Sequence, residues 1–462
     1  MLVKNQFFSI AFLLLAMHSV ISQTNSNIEG FYKARGYGWI ANIEASKIEM
    51  YDITEISCYP SNTYPLNEFS DGINLQDNVL TLTRGASKYT FDKLDNLPDL
   101  CKQKLAKKER NNPVLNFEIL WKTFEEHYAY FEERTIDWKA LYKVYASQVN
   151  EKTSEVEFYQ ICKAMLSELN DAHVSIQASD KIMNKAKKAT NLDNTPKANL
   201  GELRRDIVAK YLKDPKAHNL SRVIWGKINN TTGYVQLNDM FLQAHYGITP
   251  DMSSKEATKL YLKKHEQSAN PLKDQIEGIA KTMKKVMEDL ADTKNLILDL
   301  RFNGGGEDMV GLEVLRNFIN EEKVVFTKKN RVGDTYTKPY DFNLTPNVMP
   351  YKGKLHVLQS HWSASAAEIF LLATLSYEDI TRLGSPSLGI FSDILEKKLP
   401  NGWEFGLSNQ VYLDKKNTSY EALGIPVHVD FKYSKDMYEF VTKIKKDLET
   451  TGDEAIEYVL KK

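Results

Sequence analysis

The stretch Leu355-His356-Val357-Leu358-Gln359-Ser360-His361-Trp362-Ser363-Ala364-Ser365-Ala366-Ala367-Glu368-Ile369-Phe370 predicts a buried apolar strand that passes through a short polar turn into a helix. A serine at such a junction lies beside free backbone N–H groups and the positive end of a helix dipole. Both stabilise an alkoxide or the oxyanion of a tetrahedral intermediate. The same residues also have a plainer use. Ser365 with Glu368 makes a capping box, which serves helix stability alone.

A second stretch repeats the pattern: Asn295-Leu296-Ile297-Leu298-Asp299-Leu300-Arg301-Phe302-Asn303-Gly304-Gly305-Gly306, then a helical spacing of Met309, Val310, Leu312, Leu315, Phe318 and Ile319. Successive glycines let the backbone approach a ligand and turn its amides into a site. The plain alternative is a tight turn from strand to helix. The stretch has neither the G-x-G-x-x-G spacing nor a Gly-Lys-Ser/Thr phosphate loop. An oxyanion-hole donor is the specific use that remains.

Asp299-x-Arg301-x-Asn303-Gly304-Gly305 joined to Ser363-Ala364-Ser365-Ala366-Ala367-Glu368 resembles the tail-specific, C-terminal processing serine peptidases and the core of tricorn protease. Two further stretches fit that pattern: Leu166-Ser167-Glu168-Leu169-Asn170-Asp171-Ala172-His173-Val174, and residues 399–402 through Tyr420-Glu421-Ala422-Leu423-Gly424-Ile425-Pro426. The resemblance runs over residues 113 to 432. It implies an α/β, tricorn-core-like (ClpP/crotonase-like) catalytic domain whose parallel-rich sheet carries helices on its faces. It also implies Ser365 as nucleophile, with an oxyanion hole made by the amide of Ala366 and that of Gly304 or Gly305.

One departure selects the mechanism. The tail-specific branch places a lysine where this chain has Ile390, in Gly384-Ser385-Pro386-Ser387-Leu388-Gly389-Ile390. Isoleucine cannot take a proton, so a Ser-Lys dyad is excluded there. The resemblance to the tricorn-like branch implies His173 as general base and Glu421 as its orienting carboxylate. A serine precedes the histidine in tricorn, and here that position is Ala172. The chemistry asks for these residue types independently. A serine hydroxyl needs a base within reach, histidine titrates nearest to working pH, and a carboxylate fixes its tautomer.

Nine histidines compete for the base. His18 lies in the leader and His127 in an amphipathic helix, while His218, His245 and His265 lie in polar stretches that read as solvated surface. His356 and His428 lie in apolar runs and read as structural. His361, close before Ser365, is the rival. His173 follows an amphipathic helix at what the sequence suggests is an exposed corner. Asp171 reads as a cap on local backbone.

The first residues carry Lys4, then a run from Phe7 to Val20 almost without charge, then Ile21-Ser22 before Gln23. This predicts a secretory signal peptide cleaved near Ser22. Its apolar core falls short of the ~20 residues of a membrane span. An exported, periplasmic or secreted, protein without a membrane anchor is expected. With 60 Lys and Arg against 61 Asp and Glu, the net charge is −1. There is no basic footprint for nucleic acid. Of three cysteines, Cys58 and Cys101 bracket an N-terminal module and are candidates for a disulfide, while Cys162 reads as a buried thiol. Neither Cys-x-x-Cys nor His-Glu-x-x-His is present, and no metal or cofactor is expected.

The expected organisation is a signal peptide (1–22), a small antiparallel β module (23–101) with turns at Asp71-Gly72 and Gly85-Ala86, and a helical region ending at His173 (102–178). A polar connecting segment (179–222), too short for the PDZ domain many relatives carry there, leads to the catalytic core (223–462). In the helical region Phe117, Leu120, Trp121, Phe124, Tyr128 and Phe131 keep helical spacing. Together these features point to a serine endopeptidase acting on peptides or unfolded protein, with no oligomeric state specified. A non-catalytic peptide or apolar-ligand carrier on the same core is the alternative. An esterase of the α/β-hydrolase type is weakened, because Gly-x-Ser-x-Gly is absent around Ser365.

Overall fold

The two apolar runs lie side by side as the parallel strands Asn295–Asp299 and Lys354–Gln359, inside a seven-stranded sheet. The computed structural model describes residues 28–69, 72–189 and 198–462. The expected signal peptide lies outside the described residues. Across the sheet the order is Val429–Asp430, Thr381–Gly384, Lys354–Gln359, Asn295–Asp299, Thr232–Leu237, Val223–Asn229, Lys216–His218. The first five are mutually parallel, and the last two add antiparallel pairs at one edge.

Parallel strands must be covered on both faces, which is why these runs are apolar throughout. Alternate residues divide between two cores. Leu296, Leu298 and Val357 pack with Ile279, Val286, Leu312 and Ile369 from the helices Pro271–Leu290, Asp308–Leu315 and Ala366–Thr374. Ile297 and Leu358 pack with Ile207, Phe440 and Ile456 from the helices Leu200–Tyr211, Met437–Glu449 and Glu454–Leu460.

The N-terminal region forms a seven-stranded antiparallel sheet, in the order Cys58–Pro65, Lys47–Ile53, Trp39–Glu44, Gly30–Ala34, Ser87–Leu94, Val79–Arg84, Gly72–Gln76. The Gly85 turn is present, with φ of 57° at the glycine. The other expected turn, at Asp71-Gly72, includes Asp71, which lies outside the described residues. Gly72 already opens a strand, and the hairpin turns at Asp77-Asn78, whose φ values of 51° and 63° suit the short polar side chains. Cys58 and Cys101 form a disulfide across a Cα–Cα distance of 4.6 Å, and Cys162 is a buried free thiol.

The amphipathic helix runs Pro113–His127, started by Asn112, whose side chain accepts from the Val114 and Leu115 amides, and by proline at the first turn. It stops before Tyr128, which is extended, because the chain there joins a neighbour: the Ala129 amide donates to Ser408 O. Phe117, Phe124 and Leu166 share one core with Tyr32 and Leu80 of the N-terminal sheet and Phe405 of the C-terminal half. Within the connecting segment lie the helices Asp180–Ala189 and Leu200–Tyr211 and the strand Lys216–His218. Among the described residues no helix is long and apolar enough to cross a membrane.

One buried cation fastens the C-terminal helices to the sheet. Arg301, fully buried, pairs with Asp299 and Asp453 at 2.7 Å each and donates to Tyr433 Oη. Asp453 in turn accepts the Ala455 and Ile456 amides at the start of the last helix. Arg301→Ala leaves two carboxylates buried without their cation, and should lower unfolding free energy by about 3–5 kcal/mol. Chaotrope unfolding measures it, and a loss below ~1 kcal/mol would show that the cluster relaxes into water.

Candidate active site

Ser365 stands at the end of the turn between the strand Lys354–Gln359 and the helix Ala366–Thr374. Two other serines fix that turn to the glycine-rich one. Ser360 Oγ donates to Arg301 O (2.6 Å) and Ser363 Oγ to Leu300 O (2.8 Å), while the Ala364 amide donates to Asn303 O. The backbone of Ser365 is held at φ 54°, ψ −125°, a region that disfavours every residue but glycine. Its hydroxyl caps nothing. The capping-box reading therefore fails at the hydroxyl, and among the described residues Ser365 Oγ has no hydrogen-bond partner. Glu368 is engaged elsewhere, accepting from Ser387 Oγ (2.6 Å), Gly389 N (2.7 Å) and Ile390 N (2.8 Å).

The glycine turn lies against the serine. A Cβ on Gly305, whose φ is 104°, would be 2.7 Å from Ser365 Cβ and 3.0 Å from the Ala366 amide nitrogen. The two candidate donors in the turn are not equivalent. The Gly305 amide is committed to Asn303 Oδ1 at 2.9 Å, whereas a Cβ on exposed Gly304 would meet nothing within 4 Å. Ala366, at the first helical position, has no intrahelical acceptor for its N–H.

His173 follows the helix Glu155–Ser167 in a turn where Asn170 has positive φ. The expected exposed corner is not found: His173 is 6% exposed. Burial lowers the pKa of the imidazole, outweighing the charges of Asp171 and Asp393 and a hydrogen bond to main-chain Ser392, which favour its charged form. Asp171 caps local backbone, accepting the His173 amide (2.9 Å) on one oxygen and Tyr128 Oη (3.0 Å) on the other.

The expected hydrogen bond from His173 Nδ1 to Glu421 is not formed. Nδ1 is buried without a partner. Both Glu421 oxygens are occupied, one by Arg134 Nη2 and the other by the Phe391 amide at 2.9 Å. The cause is the guanidinium, whose fork reaches Glu421 and Gly389 O while its Nε stands 3.8 Å from Asp171. Burial, with the like charge of Asp171, raises Glu421 to about 8. Arg134 is the residue that sequence reasoning missed. It sits behind Glu132-Glu133 in what reads as a solvated charge run, and no local pattern marks it.

The structure thus brings Ser365 and His173 to one segment, residues 387–392, without a hydrogen bond between them. The segment is held to the serine side by Leu388 N→Ser363 O and by Glu368, and to the histidine side by Phe391 and Ser392. Beside it opens a cleft of about 780 Å³, with apolar walls from Leu166, Val174, Ile176, Leu388 and Ile390 and with Arg134, Lys163, His361 and Lys435 among its polar residues. His361, the rival base, is half-buried against Trp362. Among the described residues no group of three or more His, Cys, Asp or Glu is arranged to hold a metal ion.

The sequence profile of peptidase family S41 matches residues 231–431, and that of the tricorn protease C1 domain matches residues 111–167. The tail-specific protease of Haemophilus influenzae (strain ATCC 51907 / DSM 11121 / KW20 / Rd) is 32% identical over 114 residues, which are 24% of this chain and 16% of that protein. Among solved structures, a putative peptidase from Parabacteroides merdae ATCC 43184 superposes with a TM-score of 0.56 at 19% identity, over 76% of this chain and 96% of that one. Mature CPAF superposes with a TM-score of 0.50 at 10% identity, over 74% and 98%. Residues 231–431 are thus a peptidase family S41 region.

A buried neutral imidazole resists protonation, so the His173 ring should titrate with a midpoint below the ordinary 6.5. NMR titration of its Cε1–H reads this directly. A midpoint above 6.5 would mean that the ring has a carboxylate partner in solution that the structure lacks.

Proposed function

We propose that the protein is a serine endopeptidase working through an acyl-enzyme. The observation that carries this reading is Ser365 itself. Its hydroxyl is free of any cap, its backbone is held in a disfavoured conformation at a helix N-terminus, and its Cβ is pressed against the glycine turn. The family S41 region and the cleft beside residues 387–392 support it.

In the proposed reaction Ser365 Oγ attacks the carbonyl carbon of a peptide lying in the cleft and passes its proton to His173. The tetrahedral oxyanion is held by the amides of Ala366 and Gly304, with Gly305 as the spacer whose missing side chain admits the serine. Collapse breaks the C–N bond, and the leaving amine takes the proton from His173. Water, deprotonated by the same imidazole, then releases the acid from Ser365. The Asp171–Arg134–Glu421 cluster serves as the orienting surround of His173, in place of a single carboxylate bonded to Nδ1. A signal-peptide-like leader and the Cys58–Cys101 bridge support an exported enzyme.

Ser365→Ala should abolish peptide hydrolysis, a loss on the order of 10⁶ in turnover. Fluorophosphonate should label the wild type at Ser365 and leave the variant unlabelled. A wild type that binds peptides yet resists the probe would establish the carrier reading instead.

Glu421→Gln weakens the hold on Arg134, whose guanidinium stands between Glu421 and Asp171 beside His173, so turnover should fall about 10- to 100-fold. A loss near the ~10⁴ typical of a triad carboxylate would mean that Glu421 reaches Nδ1 in the working enzyme.

A further inference from the structure

The hairpin that joins the strands Val79–Arg84 and Ser87–Leu94 leaves its own sheet and enters the catalytic half. Ala86 is buried in the same apolar cluster as Val310, Ala366 and Phe391, not in the core of the N-terminal sheet. A Cβ on Gly85 would stand 2.9 Å from Met309 Cγ. Tyr340 Oη donates to Ala86 O at 3.3 Å.

The next residue carries the polar contact. Ser87 Oγ donates to Asp393 Oδ2 (2.8 Å) and accepts from Lys328 Nζ (2.7 Å), which also donates to Asp393 (2.9 Å). Tyr412 Oη lies 2.8 Å from Asp393 Oδ1 and 2.8 Å from Asp308 Oδ2. A phenol has one proton to donate, so one of these two contacts requires a proton held by a carboxyl. Burial and the charge of Asp393 push Asp308 up to about 7, which makes it the protonated partner.

The two ends of this network are the two halves of the site. Asp393 directly follows Ser392, whose main chain is hydrogen-bonded to His173, and its charge is felt by that imidazole. Asp308 is the first residue of the helix Asp308–Leu315, into which the turn at Gly304–Gly305 leads. Apolar packing alone could have attached the hairpin. Instead the attachment is a fully buried lysine and a chain of hydroxyls and carboxylates that ends at those two places.

We infer that Ser87 is a positioning residue. Through Asp393 and the Tyr412–Asp308 bridge it fixes both the segment under His173 and the start of the helix behind the glycine turn, so the N-terminal sheet is part of the catalytic unit. The kinetic consequence rests on the serine-peptidase reading. The positional one does not.

The test uses the full mature chain with Ser87→Ala, Ser87→Thr and Tyr412→Phe. In Ser87→Ala, amide hydrogen exchange over residues 304–308 and 388–393 should quicken about tenfold while the strand Asn295–Asp299 is unchanged. The same variant should lose about tenfold in kcat with KM within about twofold, and Ser87→Thr, which keeps the hydroxyl, should recover both. Tyr412→Phe should loosen residues 304–308 alone, which decides the matter if Ser87→Ala does not fold. Unchanged exchange in the two segments, or a Thr variant no better than Ala, overturns the inference. A wild type without activity counts against the peptidase reading only, because the exchange measurement still tests the positioning.

Discussion

A carboxylate with no access to water holds the two halves of the site together. Glu368 is fully buried one turn into the helix that Ser365 begins, and its oxygens take one hydroxyl and two amides from residues 387–390. An unpaired buried carboxylate would cost several kcal/mol. The donors, together with the helix N-terminus, offset that cost. Burial still raises Glu368 to about 7, so its charge is only just maintained at neutral pH. The geometry also explains Ile390. Its amide is needed by Glu368 and its side chain is buried, so this position is a structural support under the serine rather than the source of a base.

The sequence reading succeeded where the signal is local. Continuous apolar runs ending in Gly304-Gly305-Gly306 and in Ser363-Ala364-Ser365 specify parallel strands that feed helices, and the structure has them as neighbours in register. The helical spacing from Phe117 to Phe124 was equally legible, and the helix Pro113–His127 carries it. The environment of His173 was not legible. Its burial depends on residues 387–392, and the carboxylates near it are joined by Arg134, which lies far from both in sequence. Nothing within a window of ten residues distinguishes an arginine that will be buried between two acids from one that will stay in water. The Gly304–Gly305 ambiguity is similar in kind, because only the fold shows that Asn303 uses the second amide.

Backbone strain gathers around the same atoms. Ser365 at φ 54° and Ala422 at φ 60° are both L-residues in a region costing ~1–3 kcal/mol, and both flank the segment that Glu368 holds. Ala422 is not a glycine, yet its loop closes: the Ala422 amide donates to Gly389 O and the Gly424 amide to Tyr420 O. The surrounding contacts therefore enforce the turn instead of the residue permitting it. The same holds at Ser365, where the pinned serines on one side and the fully buried helix on the other leave the backbone no relaxed alternative.

The charge arrangement around His173 follows from where protons reside. Glu421 is raised to about 8 by burial and the charge of Asp171, so at neutral pH it carries a proton for most of the time. The cluster of Asp171, Arg134 and Glu421 is then close to electrically neutral. A neutral surround leaves burial as the dominant influence on the imidazole, which stays unprotonated, the state that the proposed general base requires. Asp171 and Asp393 both favour the imidazolium, though less than burial disfavours it. Their charges raise the resting pKa by the same free energy with which they would stabilise an imidazolium in the proposed reaction, and burial keeps the net value below the ordinary one. A single carboxylate bonded to Nδ1 would raise the resting pKa as well. Arg134, whose own charge lowers the imidazole, engages both acids and leaves Nδ1 without a carboxylate, so the resting ring stays neutral.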